Sequence, residues 1–160
     1  MLGVIAILPR KIITASLSGT LFAIIFGFLI FPFSEEYIGS PEGYLLSAIS
    51  ITSMYMMFSF PIILFYGVVT SLLSDRVGKF LSTNANNQME LVTSAILHIA
   101  FGLILLWGSL VASILFFITD RLLGRLNKKF HWKEALISLT IPIMTLLIFN
   151  GISLISDMFN

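Results

Sequence analysis

IITASLSGTLFAIIFGFLIFPF, Ile12 to Phe33, runs for 22 residues without a charged side chain. Wound as a helix it reaches about 33 Å, against a bilayer hydrocarbon core of roughly 30 Å. Arg10 and Lys11 stand before it and Glu35 and Glu36 just after, so charges bracket the run and never interrupt it. A charge in the hydrocarbon core costs several kcal/mol, which makes such bracketing the mark of a membrane span. The run is too long for the apolar part of a cleavable leader, and no small-x-small site precedes Glu35.

The same pattern recurs at Tyr44–Ser74, Leu91–Thr119 and Ala135–Ser156, and these three stretches hold none of the eight carboxylates or nine Lys and Arg residues. The expected fold is therefore all-α, a polytopic bundle of four transmembrane helices with antiparallel neighbours, in one membrane domain covering residues 1–160. The second and third stretches, of 31 and 29 residues, exceed one crossing but read as too short for two. Tilt or kinking should absorb the excess, with Pro61 and Pro142 as the kink positions.

Composition agrees. Hydrophobic residues make up 58% of the chain and charged residues 11%, with a mean hydropathy of +1.02. A soluble domain of this size needs more charged surface. Cysteine is absent, which removes disulfides, thiolate metal sites and cysteine nucleophiles. Connections are short, and the run Ser82-Thr83-Asn84-Ala85-Asn86-Asn87-Gln88 is plain loop composition. No nucleic-acid partner is expected from a chain with a net charge of +1 and no basic soluble domain.

The third connection, 120–134, is richer. Leu122, Leu123, Leu126 and Phe130 fall on one side of a helix, while Arg121, Arg125, Lys128, Lys129 and Lys133 fall mostly on the other, with Trp132 suited to the headgroup belt. The segment reads as an interfacial anchor, and anionic lipid is the partner its charge favours. Orientation is balanced. With four crossings the nine basic residues divide five against four, a margin that decides nothing and is compatible with dual topology.

Three features inside the spans could carry function. Ala15, Gly19, Ala23 and Gly27 recur every four residues, a strip that lets another helix approach closely, whether from the same chain or a second copy. His98, the one span residue that titrates near neutral pH, shares a helix face with Ser94, Gly102, Ser109 and Ser113. It reads either as a proton relay point or as a neutral histidine bonded between helices. Asn150, before Gly151, reads as interhelical glue or a local kink, or else as a further member of an intramembrane polar site with His98, Ser94 and Ser109. Met54, Met56, Met57 and Phe58 could line an apolar cavity or simply fill gaps.

Leu73-Ser74-Asp75-Arg76-Val77-Gly78-Lys79 resembles the cytoplasmic loop signature of major facilitator transporters, with Ser71 where that signature has glycine. The chain is far too short for that fold. A looser echo stands at Thr119-Asp120-Arg121 with Gly124 and Arg125, and both read as helix ends at a membrane face. Across the second stretch, Phe65-Tyr66-Gly67-Val68-Val69-Thr70-Ser71 running into Asp75-Arg76 resembles small four-helix membrane proteins of spore-forming Gram-positive bacteria. That resemblance implies the cytoplasmic membrane and no functional residue.

No nucleophile motif, metal-ligand pair, phosphate-binding loop or facing carboxylates stand out, so no enzyme, metal or cofactor is expected. Two classes remain. One is a non-catalytic accessory, immunity or assembly protein that packs its helices on a membrane partner. The other is a small oligomeric channel or transporter.

Overall fold

The computed structural model describes residues 2–30, 41–81, 87–103, 107–126 and 128–159. Among them there is no strand, as expected where lipid leaves backbone groups no partner outside their own helix. The helices are α1 (Leu2–Ile25), α2 (Pro41–Ile62), α3 (Val68–Leu81), α4 (Asn87–Leu103), α5 (Trp107–Arg125), α6 (Trp132–Ser138) and α7 (Thr140–Phe159). A π-helical turn, Phe26–Ile30, ends α1, and a second, Ile63–Gly67, joins α2 to α3 without a break. The second follows Pro61, which cannot donate to the carbonyl one turn back. Pro142 lies in the first turn of α7, where a missing N–H is tolerated, and the bend falls just before it at Leu139.

Among the described residues, three stretches are long and apolar enough to cross a membrane: Ile7–Leu29, Pro41–Leu81 and Trp132–Ser156. The expected third span is not one helix. Leu91–Thr119 is divided between α4 and α5, which pack antiparallel against each other: Ser113 Oγ donates to the His98 carbonyl and Ser109 Oγ to that of Gly102. A Cβ on Gly102 would lie 2.8 Å from that of Ser113, so the glycine sets the close approach. Because the chain between the two helices is as apolar as the helices, no charge marks the reversal in the sequence.

Two further expectations change. Helix α1 starts at Leu2, so Arg10 and Lys11 lie within a helix and not ahead of it. The basic segment 120–133 is not a single amphipathic helix: α5 ends at Arg125, residues 128–131 are irregular, and α6 begins at Trp132.

The directions follow from side-chain neighbours. Along α1 and the α2–α3 rod, Gly27 meets Thr52, Gly19 meets Phe60 and Lys11 meets Ser71, so the two run antiparallel. Helix α5 also opposes α1, with Gly108 near Phe26 and Gly124 near Arg10. Helices α6 and α7 run parallel to α1, since Ser138 bonds Ser16 and Phe149 packs on Phe28. The strip of small residues faces inward: Ala15 and Ala23 are fully buried, and a Cβ on Gly27 would sit 2.8 Å from the Thr52 nitrogen. Ala15, Phe22, Phe26, Ile63, Val68, Ala112 and Phe116 form the core.

Candidate functional site

At one end of the bundle a lysine is fully enclosed. Lys11, on α1, is 0% exposed. Its ammonium donates to Ser71 Oγ at 2.7 Å and Asp75 Oδ2 at 2.6 Å, both on α3, and to Asp120 Oδ2 at 2.8 Å on α5. An ammonium has three protons, and each has an acceptor. Burying an ion is costly unless it is paired and its hydrogen bonds are complete, and here both conditions hold.

A second ring of contacts fixes the carboxylates. Arg10 reaches Asp120 with Nε at 3.1 Å and Nη2 at 3.4 Å. Asp75 accepts from Ser94 Oγ of α4 at 3.3 Å and from Arg121 at 3.5 Å. The Arg121 guanidinium also lies over the Phe117 ring, 5.2 Å from its centroid. Four helices thus converge on two aspartates.

Asp75 follows directly on the expected span Tyr44–Ser74 and lies inside the longer helical stretch Pro41–Leu81, while Asp120 is buried with 3% of its side chain exposed. The two Ser/Thr-Asp-Arg segments, read as unrelated helix ends, bring their aspartates to one ammonium. The repetition was the available signal, but with four crossings Asp75 and Asp120 would stand at opposite ends. Only the reversal between α4 and α5 returns Asp120 to the end that holds Lys11.

One helical turn further along α4 from Ser94, His98 is 5% exposed. Its Nδ1 lies 2.9 Å from the Ser94 carbonyl, and its ring packs against Phe117 with centroids 5.3 Å apart. It borders a cavity of about 50 Å³ together with Tyr66, Thr70, Ser109, Ser113 and Phe116. Asn150 does not join this group. It is exposed on α7, and its amide donates to the Leu146 carbonyl of its own helix. The methionine cluster is also apart from the cavity: Met54 and Met57 face outward and only Met56 is buried.

Of the residues expected at the interface, Arg125, Lys128, Lys129, Trp132 and Lys133 are exposed, whereas Arg121 turns inward to the cluster. Lys128 pairs with Glu134 at 2.8 Å. All nine Lys and Arg residues gather at the end that holds Lys11; at the other, Glu42 opens α2 and Asp157 lies in the last turn of α7. Among the described residues no group of His, Asp and Glu side chains could hold a metal ion. No family model matches the chain, and no curated protein or solved structure matches it either.

Proposed function

We propose that this is a non-catalytic, multi-pass protein of the cytoplasmic membrane that acts by packing against a further transmembrane helix, from a second copy or another membrane protein. The observation that carries the reading is Asn150 beside Gly151. Asn150 faces outward on α7 among Leu147, Ile148 and Leu154, six residues inside the end of the stretch Trp132–Ser156, and a Cβ on Gly151 would meet nothing within 4 Å. An amide facing lipid is unfavourable, while an amide next to an open glycine suits a partner helix. The completed bonding of Lys11 supports the same reading, since a satisfied ion pair holds helices together and leaves no free carboxylate to ferry a proton.

Orientation follows from the gathered charge. Counting α4 and α5 as separate crossings, of about 26 and 29 Å at the usual rise, gives five. The basic end then holds nine Lys and Arg residues and the other none, a bias that supports an N-terminal end inside and a C-terminal end outside and weighs against dual topology.

The test is the size of the complex extracted from native membranes in mild detergent. Asn150→Leu and Gly151→Ile should reduce the species to the monomer without changing its helical signal. A wild-type protein that is already monomeric would overturn the reading. The second reading, a small channel or transporter, is favoured by the cavity at His98, and a His98-dependent flux from purified protein in liposomes would establish it.

A further inference from the structure

The cavity beside His98 is walled mainly by carbon, with Ile63, Phe101, Ala112 and Phe116 around it and Ile62, 53% exposed, at its rim. The hydroxyls on its wall all donate to main-chain carbonyls. Tyr66 donates to Phe101 at 3.1 Å, Thr70 to Tyr66 at 2.9 Å, Ser109 to Gly102 and Ser113 to His98. Their protons are therefore already used.

His98 completes the pattern. A carbonyl oxygen can only accept, so the contact with Ser94 requires the proton of the neutral ring to sit on Nδ1. Nε2 is then a lone-pair acceptor, buried and without a partner among the described residues. A buried acceptor is costly to leave unmatched, and among the described residues nothing on this wall matches it.

We propose that the cavity binds the hydroxyl end of a small, uncharged aliphatic alcohol, whose O–H donates to His98 Nε2 while its chain lies against Ile62, Ile63 and Phe116. The carbon wall requires the apolar part. The charge cluster one turn away argues against a cation, because Arg10, Lys11 and Arg121 outnumber Asp75 and Asp120 by one. The exposed rim at Ile62 gives entry from the lipid side. At roughly 10–15 Å³ of such volume per water, a cavity of about 50 Å³ has room for about three to five, and so for a short chain.

The test uses the full-length protein labelled with ¹⁵N-histidine in detergent micelles, titrated with 1-butanol and with its isomer 1-methoxypropane, which has no O–H. The chain has two histidines, and the exposed His131 serves as the internal control. Butanol should move the His98 Nε2 resonance saturably, the ether should not, and His131 should stay in place. Ala112→Leu, which fills the cavity, should weaken the response at least tenfold while His131 reports an unchanged fold. An equal shift with the ether, an unsaturable shift, or no shift at all would overturn the proposal; the last would leave water as the occupant.

Discussion

Lys11 and Asp75 are 64 residues apart in sequence, and their charged atoms lie 2.6 Å apart in the fold. Removing the lysine would leave two carboxylates enclosed without their shared counter-ion. Breaking a buried ion pair from one side costs about 3–5 kcal/mol. Lys11→Met should therefore lower the melting temperature in detergent sharply, and Lys11→Met with Asp120→Asn should recover part of the loss. A single variant as stable as the parent would show that the cluster contributes nothing.

Met89 near the start of α4 and Leu122 near the end of α5 are both exposed. Were residues 89–122 one continuous helix, they would stand about 50 Å apart. In the antiparallel arrangement they stand at the same end, within about 10–20 Å given the usual 8–10 Å between packed helix axes. Spin labels at Met89→Cys and Leu122→Cys, read by pulsed electron resonance, distinguish the two.

Four apolar runs were legible because an uncharged stretch of 22 residues or more leaves lipid-compatible helix as its only stable form. The strip from Ala15 to Gly27 was legible too, since spacing by four fixes one helix face. The α4–α5 reversal was not, because a turn written in apolar residues leaves no charge or Pro-Gly punctuation behind. That one miss displaced the rest: with α4 and α5 fused, Asp120 moves away from Lys11 and the nine basic residues split almost evenly. Asn150 stood out as an amide within an apolar run and was read as interhelical glue, yet it is exposed on α7, because periodicity within one helix does not say which side faces the bundle.

Sidedness offers a direct check, because the chain has no native cysteine. Met158→Cys at the end of α7 should react with a membrane-impermeant maleimide on intact cells. Lys129→Cys, at the basic end, should react only after lysis. Labelling of both from the same side would refute five crossings with the basic end inside.

Gly27→Ala should destabilise although it adds one carbon, because that carbon would meet the Thr52 nitrogen at 2.8 Å and the Ala48 oxygen at 2.9 Å. Overpacking of this kind costs about 1–3 kcal/mol. Gly151→Ala adds the same carbon to open space and should be neutral or slightly stabilising in the monomer. Thermal unfolding of the two variants side by side gives the comparison, and equal melting temperatures would contradict the close approach of α1 to α2.

The enclosed ammonium also sets an order on synthesis. Lys11 leaves the ribosome 109 residues ahead of Asp120, an interval of about 5–20 s at ordinary elongation rates. Through that interval the first helix carries a cation whose second carboxylate does not yet exist, so its charged turn must stay in water or against lipid phosphate. Only when α5 has packed against α1 does the ammonium gain its full set of acceptors, so the first helix made waits on a helix made much later to complete its contacts.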